Sequence, residues 1–170
     1  TLASFTYSLI LIFCLGTQIS AADYYWINGT GAWSDPSHWA TTSGGSDFHD
    51  TPPGPEDDVF FDENSFVSLN DTVHLTGLEA YITKNLNWTD GSHNAVLACP
   101  DFTSLEIYGS VYLSNFMRWQ APDLGIHLWG MEIGQTLVAN DRWRRSRLSF
   151  FGDGSWTLTG DLVVKEINLF

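Results

Sequence analysis

Five short segments of the chain share one pattern, in which two apolar residues flank a polar residue and an aromatic residue follows. They begin, 19 to 22 residues apart, at Leu86, Leu105, Ile126, Leu148 and Ile167. The first copy is imperfect, because Trp88 takes its third place and Thr89 its fourth. A fixed period of about 20 residues, built from short strands, is typical of a solenoid. Each copy is too short to bury its own apolar face, so the copies must stack to form a core.

Side chains within a strand point alternately to opposite faces. We therefore expect Leu105, Ile126 and Leu148 to form one column inside the molecule, coil over coil. The residues expected to face solvent occupy the second place of each copy: Asn87, Glu106, His127, Ser149 and Asn168. No long segment has a helical period. The sequence predicts an all-β fold, a right-handed parallel β-solenoid (β-helix) with an N-terminal aromatic cap. A β-sandwich, which also uses many short strands, is the alternative.

The chain divides into three segments. Residues 1–22 contain an apolar run at 9–15 followed by small residues, which is typical of a secretory signal peptide, here without its charged start. Residues 23–66 are interpreted as a Trp-rich cap over the first coil followed by an acidic loop. Residues 67–170 carry the repeats and end in mid-repeat, so we expect a piece of a longer protein. The mature part has no predicted membrane span.

Composition narrows the class of protein. The 170 residues are 44% hydrophobic and 15% aromatic, which is enough for one domain with a core. The formal net charge of −13 would repel a phosphate backbone, which argues against a nucleic-acid partner. Cys14 lies in the signal segment, so Cys99 stands alone in the mature part and no internal disulfide is expected.

Three stretches carry a resemblance. They are 26–39 (WINGTGAWSDPSHW), 57–66 (DDVFFDENSF) and 150–162 (FFGDGSWTLTGDL). The first two resemble the start of large secreted surface proteins of the Bacteroidetes, and the third is similar to a repeat found further along in them. The resemblance implies an exported, adhesin-like protein built from repeats, with no defined active site. The basic loop around Arg144 departs from that pattern.

An acidic stretch contains Asp57, Asp58 and Asp62. Ca²⁺ takes several oxygen ligands from flexible loops, so these carboxylates form a candidate Ca²⁺ site. Their spacing matches neither an EF-hand nor the glycine-rich nonapeptide repeat that binds Ca²⁺ in β-rolls. A solvated acidic rim is the alternative interpretation.

The aromatic residues in the fourth place of the copies, among them Tyr108, Trp129 and Phe151, form a candidate glycan-binding ladder on the outside of the coil. Apolar faces of sugar rings pack on aromatic rings, and a row of rings offers a platform. The alternative is that these rings fill the corners of the coil.

The most local charge anomaly is a basic run near residue 144. Four of the seven Lys and Arg residues lie in it: Arg142, Arg144, Arg145 and Arg147. Guanidinium groups bind sulfate, carboxylate or phosphate bidentately, so the run is a candidate anion-binding site for a polysaccharide. A protruding turn whose arginines pair with the abundant acids is the alternative.

The sequence has no catalytic motif of known spacing. We therefore predict a secreted, extracellular or cell-surface scaffold, adhesin-like and non-catalytic, which contacts glycans or other surface proteins. A polysaccharide lyase or glycoside hydrolase on a β-helix is one alternative, and a glycan-binding module is another. An enzyme requires convergent carboxylates or basic residues on one face of the solenoid.

Overall fold

Alternating apolar and polar side chains divide the chain into short strands. The structure, a computed structural model, describes residues 21–76, 80–100 and 102–170. These residues form sixteen strands and one 3₁₀ turn (Pro36–His38), and they contain no α-helix. Nearly all of the predicted signal peptide, residues 1–20 with Cys14, lies outside the described residues. The all-β prediction is confirmed.

The strands assemble into three sheets. The seven-stranded sheet consists of β1 (Asp23–Trp26), β3 (Trp39–Ala40), β4 (Asp58–Phe61), β7 (Leu86–Trp88), β10 (Val111–Leu113), β13 (Gln135–Val138) and β15 (Trp156–Leu158). The four-stranded sheet consists of β2 (Gly31–Ala32), β5 (Thr72–His74), β8 (Val96–Ala98) and β11 (Arg118–Gln120). The five-stranded sheet consists of β6 (Ala80–Thr83), β9 (Ser104–Ile107), β12 (Gly125–Gly130), β14 (Arg147–Gly152) and β16 (Glu166–Leu169).

From β4 to β12 the chain visits the three sheets in a fixed order, so each of these coils has three sides. The strands β4, β5 and β6 form one coil, and β7, β8 and β9 form the next. Each strand pairs in parallel with the strand of the same side in the following coil. About five coils stack in this way, which confirms the β-solenoid and excludes the β-sandwich, whose strands pair antiparallel.

The third side is lost towards the C-terminus. After β13 and after β15 the chain crosses from the seven-stranded to the five-stranded sheet through irregular segments, 139–146 and 159–165, without a strand of the four-stranded sheet. The four-stranded sheet therefore ends at β11. The first of these segments contains Asn140 and Asp141, whose φ values of 47° and 58° turn the chain away from an extended path.

The predicted inner column is confirmed. Ile126 pairs with Leu105 on one side and with Leu148 on the other, and all three side chains are 0% exposed. The stacking buries the same face of every coil, which no single coil could bury alone. The core therefore runs along the solenoid axis as one continuous cluster.

The first predicted copy lies in the wrong sheet. Leu86 belongs to β7 in the seven-stranded sheet, and Tyr81 of β6 is the residue that pairs with Leu105. The segment that starts at Tyr81 does not match the pattern, because its third position, which points into the core, is the polar residue Thr83. The Thr83 hydroxyl lies 2.9 Å from the carbonyl oxygens of Asp57 and Asn85, which satisfies it in the core.

Large aromatic residues close the N-terminal end, as the cap prediction requires. Trp26, Trp33 and Trp39 are 0% exposed. The Trp39 ring meets the other two edge to face, at centroid distances of 4.9 Å and 5.0 Å. Beside them β3 runs antiparallel to β1 and ends the seven-stranded sheet. The rings cover the apolar end of the first coil with few residues.

Candidate functional site

The outer face of the five-stranded sheet carries three columns of outward-facing residues. Because the strands pair in register, the same place in each strand recurs along the axis. The first column is Ser104, Gly125, Arg147 and Glu166; the second is Glu106, His127, Ser149 and Asn168; the third is Tyr108, Trp129, Phe151 and Phe170. The second-column residues are half-buried, except that Ser149 is buried at 7% exposure.

The third column is a stacked aromatic ladder. Tyr108 and Trp129 are 6.0 Å apart between ring centroids and 12° from parallel. Trp129 and Phe151 are 4.4 Å apart at 19°, and Phe151 and Phe170 are 4.8 Å apart at 6°. The structure therefore brings the predicted ladder residues together on the outside of the coil.

The stacking decides what the ladder offers to a ligand. Both faces of the Trp129 and Phe151 rings are taken by neighbouring rings, so a sugar that stacks face to face finds no open face there. Phe170, at the end of the ladder, is 75% exposed. This arrangement favours a packing role for the inner rings, which stiffen the surface from coil to coil.

A polar cavity lies beside the ladder. It measures about 430 Å³, and the chemically active side chains that line it are Asp123, His127 and Arg147. His127 Nδ1 is 3.9 Å from Glu106 Oε1, and its ring meets Phe151 edge to face. Burial lowers the pKa of His127, and the Glu106 charge opposes that shift only in part. The imidazole is thus neutral at neutral pH.

The basic residues gather where the four-stranded sheet ends. A cleft of about 610 Å³ lies between β11 and segment 139–146. Its cationic lining is Arg118, Arg142, Arg144 and Arg145. We name it the arginine cleft. Of the four predicted arginines, Arg147 lies apart, at the start of β14 on the five-stranded sheet, where it lines the polar cavity.

The arginines of the cleft are held to different degrees. Arg142 donates from Nε to the Asn140 carbonyl (2.7 Å) and from Nη1 to the Met117 carbonyl (3.2 Å). Arg118 donates from Nη1 to Asn70 Oδ1 (2.9 Å). These bonds fix two guanidinium groups, whose further N–H donors have no partner in residues 21–76, 80–100 and 102–170.

The outer arginines are exposed. Arg144 donates from Nε (2.6 Å) and Nη2 to Asp141 Oδ2. Arg145 has no hydrogen-bond or ion-pair partner within residues 21–76, 80–100 and 102–170. The alternative interpretation, in which the arginines pair with acids, thus holds for Arg144 and not for Arg145.

The predicted Ca²⁺ ligands are not brought together as a metal site. Asp57 accepts hydrogen bonds from the backbone N–H groups of Ala22 (3.0 Å) and Gly54 (2.9 Å). Asp58 accepts from the Asn85 side chain, and Asp62 accepts from the N–H of Asn64. These carboxylates tie loops to the coil. Within the described ranges, no group of three or more His, Cys, Asp or Glu residues is placed to hold a metal ion.

One cluster contains the residue types of a hydrolase triad without its geometry. Ser92 Oγ and Asp90 Oδ1 both lie close to the same atom, His93 Nδ1, at 2.9 Å and 3.0 Å. In a triad the nucleophile and the acid contact opposite ring nitrogens. The three residues instead form a turn in which Asp90 also accepts from the backbone N–H groups of Ser92 and His93.

Sequence patterns alone did not indicate Arg118 and Trp119 as site residues. They precede the basic run by more than twenty residues and reach it only because successive coils stack. In a solenoid, a basic residue that precedes a basic run by about one repeat period is expected to lie beside that run in the neighbouring coil.

Comparison with known proteins adds no family to this description. The chain matches no family model, and it has no significant match among curated proteins or solved structures. Within the described residues, no helix has the length and apolar character needed to cross a membrane.

Proposed function

We propose that the chain is an exported, non-catalytic scaffold of the cell surface or extracellular space, with an adhesin-like role in contacting glycans. The observation that carries the proposal is the in-register stacking on the five-stranded sheet, which repeats three outer columns along the axis. Repetition of this kind makes a long, stiff surface suited to display.

Export is supported by the sequence at residues 1–22, where an apolar run precedes small residues. The acidic composition, with a formal net charge of −13, suits a soluble extracellular surface. The ladder and the N-terminal aromatic cluster add rigidity, because large stacked rings bury much apolar surface per residue.

Two measurements test this function. The first expresses the full chain in a bacterium, preceded by a short Met-Lys-Lys start that supplies the charged region of the signal, and determines the mature N-terminus by mass spectrometry after cell fractionation. We expect protein that starts at Asp23 outside the cytoplasm, and Leu11→Asp should block export by interrupting the apolar run. The second applies the purified protein to a glycan array. Saturable binding without shortening of the glycan supports the proposal; cytoplasmic retention or the absence of glycan binding contradicts it.

A polysaccharide-cleaving enzyme is the second candidate, favoured by the polar cavity. Asp123, His127 and Arg147 line one cavity on the outer face, and the lowered pKa of His127 keeps its imidazole available as a base. The test is release of reducing ends or of unsaturated uronate from acidic and neutral polysaccharides. Cleavage that His127→Ala abolishes would replace the scaffold with an enzyme.

A further inference from the structure

The positive charge of this acidic molecule is concentrated at one corner. Six of the seven Lys and Arg residues line three adjoining cavities: Arg118, Arg142, Arg144, Arg145, Arg147 and Lys165. The seventh, Lys84, lies directly after β6, near the start of the aromatic ladder. The chain as a whole has a formal net charge of −13, so the surface outside this corner repels polyanions and an anionic ligand is drawn to the corner.

Hydrogen bonds hold two arginine side chains of the arginine cleft in place. Backbone carbonyls and Asn70 hold Arg142 and Arg118, so two of its guanidinium groups are oriented before a ligand arrives. Such preorganisation reduces the entropy lost on binding. None of the five N–H donors of Arg145 has a partner among the residues that the structure describes, and Arg145 also lines the neighbouring cavity with Lys165.

An aromatic ring accompanies these donors. Trp119 lines the cleft and is half-buried. Its Nε1 donates to Ser146 Oγ (3.0 Å) and lies 3.2 Å from the Ala121 carbonyl, while its ring meets Trp143 edge to face. The indole is thus held in one orientation. Unlike the inner rings of the ladder, it has no parallel aromatic neighbour among the described residues.

Together these groups define a ligand. We propose that the arginine cleft is a binding site for an acidic polysaccharide, in which a sulfate or uronate group contacts the guanidinium groups and the apolar face of a sugar ring packs on Trp119. This rests on the proposed glycan-contacting function and names its ligand class. Guanidinium forks match the paired oxygens of both anions. The cleft volume of about 610 Å³ is ample for a sugar residue.

Two acids limit what the cleft accepts. Asp141 engages Arg144, and Asp123 lines the cavity next to Arg145. They disfavour a densely charged polymer, whose neighbouring anions would meet them. A polysaccharide with one anion per sugar or per disaccharide places its charge on Arg118, Arg142 and Arg145 and avoids the acids.

The test measures binding of the full chain to three polymers: sparsely sulfated dextran (no more than one sulfate per sugar), polygalacturonate and unmodified dextran. We expect binding to at least one acidic polymer, weakened by added salt, and at least about tenfold weaker binding to dextran. A preference between the two acidic polymers identifies the anion. Arg145→Gln removes an exposed cation that has no partner within the described part of the chain, and it should weaken binding by about tenfold. Lys84→Gln makes the same charge change away from the cleft and should change it less than about twofold.

Trp119→Ala tests the contribution of the aromatic ring to binding separately from that of the arginine charges. We expect it to weaken binding of the acidic polysaccharide while leaving the salt dependence unchanged, with retained far-UV circular dichroism as the folding check. Equal losses in Arg145→Gln and Lys84→Gln, equal binding of unmodified dextran, or tighter binding of single-stranded DNA than of either acidic polymer would each overturn the site.

Failure of the cleft assignment and failure of the proposed function give different results in these binding experiments. If the protein binds neutral glycans but not the acidic polymers, the cleft assignment is wrong and the glycan-contacting scaffold stands. If it binds an acidic polymer at the cleft and also shortens it, the site stands and the non-catalytic function is wrong.

Discussion

Truncation of Ile126 to alanine tests how much stability the inner column supplies. Ile126 is fully buried between Leu105 and Leu148, so its neighbours on both sides belong to other coils. Removing its outer carbons loses their transfer free energy and leaves a cavity that two coils must share. Such changes cost about 2–5 kcal/mol, and we expect about 3 kcal/mol here. In a domain of this size, that corresponds to a fall of about 6–12 °C in Tm.

The assay is urea unfolding followed by tryptophan fluorescence, with thermal unfolding as the second measurement. His127→Ala is the matched control, because His127 follows Ile126 in the same strand and lies on the outer face. We expect the control to cost less than about 1 kcal/mol. If Ile126→Ala costs no more than His127→Ala, the column does not hold the coils together.

Three further outcomes concern single contacts. Burial alone would raise the pKa of Asp90, but hydrogen bonds from His93 and Ser92 outweigh it and lower that pKa. The Asp90 contribution is therefore present above 3.8 and lost at lower pH, so the stability gap between wild type and Asp90→Ala should narrow in acid. The lowered pKa of His127 means that the unfolded chain binds more protons below 6.5, so wild type should lose stability as pH falls through that value, and His127→Gln should not. Gly152→Ala should cost more than about 1 kcal/mol in urea unfolding, since Gly152 has φ +84° and a Cβ there would lie 2.6 Å from the Gly130 carbonyl oxygen. The Asp90 prediction is contradicted if the stability gap between wild type and Asp90→Ala is the same in acid as at neutral pH. The His127 prediction is contradicted if wild type and His127→Gln have the same dependence of stability on pH, and the Gly152 prediction if Gly152→Ala leaves the free energy of unfolding unchanged.

The repeat period predicts the architecture because every coil of a solenoid needs apolar residues at the same places, so the pattern recurs once per coil. Four of the five copies fall in register on the five-stranded sheet, with Ile126 paired to both neighbours. The remaining copy, at Leu86, was assigned to the wrong sheet, because a hydrophobic pattern does not by itself show which side chains point into the core. Leu86 fits the pattern from another sheet, whereas Thr83 points inward with a hydroxyl that backbone carbonyls satisfy.

The arginine cleft was only partly predictable from sequence. The basic run is local, so its charge is visible in a short window. Its partners are not local, because Arg118 joins it across a coil boundary and only where the four-stranded sheet stops. The same boundary separates Arg147, since β14 begins there and alternation directs its side chain to the outer face beside His127.

The acidic stretch illustrates a different limit. Asp57, Asp58 and Asp62 are close in sequence, and carboxylates close in sequence are an obvious candidate for a metal. Their partners are the backbone N–H groups of Ala22 and Asn64 and the side-chain amide of Asn85, which the hydrophobic pattern does not reveal. Proximity along the chain was therefore a poor guide to which oxygens converge.

Cross-linking between coils gives a sharp test of the register on which the fold and the sites depend. In a Cys14→Ser, Cys99→Ala background, cysteines replace His127 and Ser149, which pair directly, or His127 and Asn168, which are separated by one further strand. Paired strands lie about 4.8 Å apart, within the span of a disulfide, and the second pair lies about twice as far apart. We expect mild oxidation to cross-link the first pair rapidly, with circular dichroism unchanged, and the second pair far more slowly. Equal cross-linking of both pairs, or of the second pair alone, would contradict the stacked solenoid.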